Sequence, residues 1–195
     1  MKRYLPVLLV LAFGIISCKS FDNGIFLRKA TFHRDVKPLR VIVNTANLEK
    51  CMKNQYSNLE FETGEYVNVI KNNLTFEGEP GEYHLSIIVR KGETNRGILG
   101  MIFNILTLNI TAPFGMPYMS ITSRVELEAA IMSPAGRVLK TYTVKGRDTE
   151  YMAAWWGYNP PDDMKTAKLL ALANACKELR LQMKNDAAEI NRLVR

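Results

Sequence analysis

Three thiols and two imidazoles are the side chains of this 195-residue chain best suited to chemistry. They are Cys18, Cys51 and Cys176, and His33 and His84. A structural zinc ion takes four sulfur or nitrogen ligands, usually in closely spaced pairs. No CxxC or HxxxH spacing occurs, and both histidines stand alone. His33 reads as a linker or surface residue, and His84 as a pleat-facing or solvent-facing strand residue. No glycine-rich phosphate loop, GxSxG elbow or paired-carboxylate constellation stands out. The sequence therefore predicts no metal, no cofactor and no catalytic residue, and the chain is not expected to be an enzyme. Cys51 and Cys176 could form a disulfide in an oxidising compartment. Against this, Cys176 falls on an apolar stripe, where a buried free thiol is common.

Cys18 has a distinctive context. Lys2 and Arg3 precede an apolar run from Leu5 to Ile16, broken only by Pro6 and Gly14. That run is too short to span ~30 Å of hydrocarbon comfortably, and it has the layout of a secretory signal. Its end, Ile15-Ile16-Ser17-Cys18, resembles the lipobox of bacterial lipoproteins. The resemblance implies that the Cys18 thiol takes a diacylglyceryl group and that residues 1–17 are cut away. It also implies that the new amino group is acylated, giving a palmitate-type anchor. Two or three acyl chains hold a protein stably where one holds it marginally. Lys19, where an aspartate would signal inner-membrane retention in enterobacteria, favours the outer membrane, on its periplasmic or surface face. The alternative is an ordinary secretory signal that happens to contain a cysteine.

Losing Lys2 and Arg3 lowers the side-chain charge from +7 to +5. That balance reads as solubility rather than anionic-lipid binding. No basic run is interleaved with aromatics, so nucleic acid is not expected. Residues 18–37 read as a tether, and 38–195 as a single domain long enough for a proper core.

The elements that would position any functional group follow in order. Leu39 to Val43 reads as a strand after Pro38, and Asn44 to Glu60 mostly as loop. Thr63 can cap a helix beginning near Gly64, with Val67, Ile70 and Leu74 on one face. Tyr83 to Arg90 reads as a second strand. Val125, Leu127, Ala129 and Ile131 alternate with Arg124, Glu126, Glu128 and Ala130, giving a strand with one wet face. Ser133-Pro134-Ala135-Gly136 turns it back into Arg137–Lys145 as an antiparallel hairpin, with Val138, Tyr142 and Val144 sharing a face. A loop over 146–161 carries Tyr151, Trp155, Trp156 and Tyr158, which could cover the core or meet a partner. A long helix follows from Asp162, with Leu169, Leu172, Ala173, Cys176, Leu179 and Met183 on its stripe. Its tail beyond about Asn185 could project toward another subunit.

No charged side chain occurs between Arg96 and Arg124. Ile98, Leu99, Met101, Ile102 and Phe103 make this stretch strongly apolar. From Leu106 to Thr111 the residues alternate as in a strand, and Pro113, Gly115 and Pro117 oppose a helix there. The segment reads foremost as buried or interface-facing, next as an exposed apolar loop touching a membrane or partner, and least as a transmembrane span. An exposed patch of this size would mark an interaction site.

The element order implies an α+β two-layer sandwich: a mixed or antiparallel sheet of four to five strands with the long C-terminal helix and a shorter helix on one face. With the lipobox, it resembles small periplasmic lipoprotein domains that are accessory parts of envelope machines. These include auxiliary lipoproteins of lipid transport, outer-membrane activators of cell-wall synthesis and domains of curli-type secretion lipoproteins. No role beyond that of Cys18 carries over. The expectation is a lipid-anchored, non-enzymatic envelope binding or assembly module, contacting a partner protein or membrane through 97–119 and Trp155, Trp156 and Tyr158. Alternatives are an oligomeric pore or secretion component of the outer membrane and, further off, an envelope-polymer hydrolase. Whether a small-molecule ligand binds is unknown from the sequence.

Overall fold

The alternation over residues 124–131 builds a strand with one dry and one wet face, and the rest of the sheet follows from it. A computed structural model of the chain describes residues 31–32, 35–52, 62–107, 110, 117–152 and 160–194. Over these the order is β1 (Thr31–Phe32), β2 (Arg40–Val43), α1 (Thr45–Met52), α2 (Thr63–Asn73), β3 (Thr75–Phe76), β4 (His84–Gly97), α3 (Leu99–Leu106), β5 (Met119–Met132), β6 (Val138–Met152), α4 (Pro160–Asn185) and α5 (Ala187–Leu193). The fold is α+β, with an open, mixed four-stranded sheet in the order β2-β4-β5-β6.

β2 runs parallel to β4, with Arg40 beside His84 and Val43 beside Ile87. β4 and β5 are neighbours that run antiparallel, and across them the Arg90 and Glu128 side chains and the Thr94 and Ser123 hydroxyls meet. β5 and β6 form the expected hairpin. Its turn closes with Ser133 N–H donating to Arg137 O and Gly136 N–H to Ser133 O, each at 2.9 Å. Gly136 takes φ +77°, which a side chain would resist. β1 and β3 make a separate short parallel pair.

The chain forms two compact units. The larger comprises the described residues of 23–94, 123–148 and 168–195. In it Leu85, Ile87 and Val89 of β4 meet Val125, Leu127, Ala129 and Ile131 of β5 and Tyr142 and Val144 of β6. Against this dry face pack Leu48 and Met52 of α1, Tyr66, Val69 and Ile70 of α2, and Leu172, Cys176, Leu179 and Met183 of α4. Each fully buried side chain of this size contributes roughly 1.5–3 kcal/mol. The opposite face is wet, where Arg90 donates to both Glu128 oxygens at 2.8 and 2.9 Å. Exposed pairs of this kind stabilise little.

Four sequence expectations are corrected here. Within Asn44–Glu60, expected mostly as loop, α1 occupies Thr45–Met52, and residues 53–60 lie outside the described residues. The Asn44 side chain accepts from Asn47 N–H at 3.2 Å, an N-cap contact, and Leu48 and Met52, four apart, bury on one face. α1 ends on a buried cation: Lys168 Nζ donates to Met52 O at 2.6 Å, and burial pushes the lysine pKa down. In α2 the inward face is Tyr66, Val69 and Ile70, with Val67 only half-buried, and Thr63 is its first residue rather than its cap.

β6 does not stop at Lys145 but runs to Met152. Gly146 inside it marks a close approach to α4: a Cβ there would lie 2.0 Å from Ala171 O. The helix tail does not project as expected either. Asp186 breaks α4, and beyond it Ile190 of α5 and Val194 are buried in the same core. Lys140 Nζ fixes that break, reaching Asp186 at 2.7 Å and Glu189 at 2.6 Å. Tyr142 Oη donates to the same Asp186 oxygen at 3.2 Å. Burial opposes the Lys140 charge, yet these hydrogen bonds hold its pKa above the ordinary lysine range. Asn191 Nδ2 donates to Asp35 O at 2.6 Å, tying α5 to the start of the larger unit.

Candidate interaction surface

The smaller unit comprises the described residues of 95–122 and 149–167. Ile121, Met152, Met164 and Ala167 form its own small core, with Tyr118 and Met119 packed against it. Tyr118 N–H donates to Met152 O at 2.9 Å, and the Thr122 and Thr149 hydroxyls meet at 3.0 Å. Arg96 Nη2 lies 3.3 Å from Met164 Sδ.

In this unit α3 sits on its polar side. Gly100 and Asn104, four residues apart, share a helix face. A Cβ on Gly100 would lie 2.0 Å from Pro117 O, so only glycine permits that approach. Asn104 is 3% exposed. The apolar residues take the remaining directions: Leu99 is 81% exposed, Ile105 57% and Leu106 76%. Ile98, Met101, Ile102 and Phe103 are also exposed, as is Ile110 after the helix. Thr107 closes the C-terminus, its hydroxyl donating to Phe103 O at 3.0 Å. The first turn carries no acidic residue and the last no basic one. α3 is thus amphipathic in the reverse sense of an ordinary surface helix.

Ile98, Leu99, Met101, Ile102 and Phe103, the expected contact residues, come together here. Residues 99–106 are helical, so Leu106 ends a helix rather than opening the alternation expected over 106–111, of which 108, 109 and 111 lie outside the described residues. Of segment 97–119, expected as buried or interface-facing or as an exposed apolar loop, the described apolar residues 98–99, 101–103, 105–106 and 110 are exposed. Ile105 and Leu106, inside the expected 97–119, belong to the same surface. The one available signal of the helix was the Gly100/Asn104 pair, whose spacing marks a single inward face in an otherwise apolar run. Tyr151, expected in a loop, lies in β6 and is exposed. Cys18, His33, Trp155, Trp156 and Tyr158 lie outside the described residues.

Cys51 and Cys176 are both free thiols, so no disulfide joins them. Cys51 Sγ donates to Val89 O at 3.3 Å, beside β4. Cys176 is wholly buried on α4, and burial pushes its thiol pKa up to about 12, with Arg180 acting the other way. His84 is half-buried in β4. Among the described residues no three His, Cys, Asp or Glu side chains converge as a metal site, and no helix is long and apolar enough to cross a membrane. The larger unit has an open cavity of about 250 Å³ near Leu39, Val41, Leu74 and Phe76, with Arg40 and Lys71 among its lining residues.

No family model matches the chain, and none of the curated proteins matches it. Among solved structures it is similar to a candidate lipoprotein of Caulobacter crescentus CB15, at 14% identity and TM-score 0.43, covering 74% of this chain and 98% of that one. It is also similar to a minor lipoprotein of Acinetobacter baumannii, at 11% identity and TM-score 0.39, over 77% and 92% of the two chains. A third is the rare lipoprotein B of Shewanella oneidensis, at 10% identity and TM-score 0.29, over 80% and 94%. No residue role carries across at these values.

Proposed function

We propose that this chain is a lipid-anchored, non-enzymatic module of the bacterial cell envelope that works through a contact surface on α3. The observation carrying the contact surface is the run of apolar residues from Ile98 to Leu106 that face outward while Gly100 and Asn104 face in. Soluble domains seldom leave several large apolar side chains contiguous and exposed without using them. The anchor is supported by the charged start, apolar run and Ile15-Ile16-Ser17-Cys18 of the first eighteen residues. The outer membrane is the favoured address, on the ground of Lys19.

The test is expression of the full chain in a Gram-negative bacterium, followed by intact mass and membrane fractionation. The expected product begins at Cys18, carries a diacylglyceryl mass and sediments with the outer membrane. Cys18→Ala should lose both the added mass and the membrane association. A wild-type product cut elsewhere, without lipid, would reject the anchor. Light scattering in detergent addresses the oligomeric alternative, since a defined ring would replace the monomeric module with a pore or secretion component.

A further inference from the structure

We infer that α3 is a second membrane-contacting element, seated by its apolar arc in the interfacial layer of the bilayer that holds Cys18. The inference rests on the proposed anchor and adds a contact surface to it. At 3.6 residues per turn, Leu99, Met101, Ile102, Phe103, Ile105 and Leu106 cover an arc of about 200° around the helix. A helix docking on a folded surface needs a stripe of about 100°. A protein groove would leave much of the wider arc wet, whereas fluid acyl chains can close around it.

The chemistry of the arc points the same way. Protein interfaces ring their apolar centre with polar groups and form about one hydrogen bond per 100–200 Å². The six outward side chains of α3 carry no N–H or O–H donor, and no charge occurs from Gly97 to Ser123. On the outward side of α3 itself a protein partner would find no donor to pair with. Arg96, exposed just before the segment, suits anionic headgroups.

The dimensions fit as well. Eight residues make a helix about 12 Å long, too short to span hydrocarbon but suited to lying about 5–10 Å deep at the headgroup boundary. Thr31 lies thirteen positions after Cys18, so a lipid on Cys18 holds the start of the described chain within about 45 Å of the bilayer. Among the described residues outside 98–110, the exposed aliphatic side chains Ile42, Val138 and Leu181 stand singly on separate elements.

The experiment is photocrosslinking of the full-length protein with vesicles of phosphatidylethanolamine and phosphatidylglycerol whose acyl chains carry a diazirine, followed by peptide mapping. The expected result is acyl-chain adducts on residues 98–106. Ile102→Asp, on the outward arc away from Gly100 and Asn104, should keep its circular dichroism and lose those adducts by about tenfold or more. Vesicles loaded with Cys18-lipidated protein but giving no adduct on 98–106 would overturn the inference. If Cys18 proves unlipidated, adducts on 98–106 after simple mixing would reject the anchor and keep this element. Their absence after mixing would overturn it too.

Discussion

Gly146→Ala should destabilise the protein far more than the single added methyl group suggests. Gly146 is buried in the middle of β6, and α4 crosses it through Ala171 and Ala175, both wholly buried. A Cβ at Gly146 would lie 2.0 Å from Ala171 O, 2.4 Å from Ala175 N and 2.8 Å from Ala175 Cβ. Real Cβ contacts stay beyond 3.0 Å, so something must move by at least about 1 Å. The first two obstacles are backbone atoms of a helix, which no rotamer change can clear, so α4 itself must lift. A gap of 0.5–1 Å forfeits about a quarter to a half of each dispersion contact, and Leu172, Cys176 and Leu179 ride on the same helix. Overpacking costs typically 1–3 kcal/mol, and a backbone obstacle places this case at about 3 kcal/mol or above. For a domain of this size that is a fall in Tm of about 6–12 °C. Thermal unfolding followed by circular dichroism measures it. Gly64→Ala is the control of opposite sign, because nothing lies within 4 Å of a Cβ there, on the exposed first turn of α2. It should be neutral or stabilise by up to about 1 kcal/mol. A Gly146→Ala protein melting within about 1 °C of wild type would refute the close packing of α4 on β6.

Leu179→Ala should cost about 2–5 kcal/mol by urea titration, since the side chain is wholly buried, while Leu181→Ala, half-exposed two residues on, should stay within about 0.5 kcal/mol. The Lys140 hydrogen bond, the largest influence, and then that of Tyr142 hold the Asp186 carboxyl below its ordinary 3.8, against partial burial. A carboxylate whose pKa falls on folding stabilises above its unfolded value and loses that contribution as pH drops through the folded one. Asp186→Asn should therefore melt below wild type near pH 6, with the gap closing as pH falls below 3.8; a gap constant as pH falls past that value would remove the Lys140 bridge from the account. Iodoacetamide on the native protein should modify Cys51 and spare Cys176 until denaturant is added, because Cys176 is buried and its thiol pKa is pushed up to about 12. Equal native labelling of the two, or a Cys51–Cys176 peptide in the digest, would contradict the packing described.

The elements most legible in the sequence are those whose side chains separate a dry side from a wet one. Val125 to Ile131 alternate because one sheet face meets helices and the other meets water, and the hairpin turn and the α4 stripe follow from the same division. α1 was obscured by its polar composition, although Asn44 as a cap and Leu48 with Met52 as a buried pair define it. β6 was cut short at Gly146, where the glycine ends no strand but admits a helix. α3 was missed for a deeper reason. Pattern reading assumes that apolar residues face inward, so it searches for a stripe of them, and in α3 the stripe that faces the protein is Gly100 and Asn104. A helix whose apolar side is the outer side shows a short polar period instead, and two positions in eight residues are easily lost against the Leu106–Thr111 alternation. The same inversion that hid the helix makes it the candidate working surface. A chain that turns Leu, Met, Ile and Phe outward around about 200° of one helix has placed there the groups that water stabilises least, and an apolar phase outside the protein is the environment in which that arrangement becomes favourable.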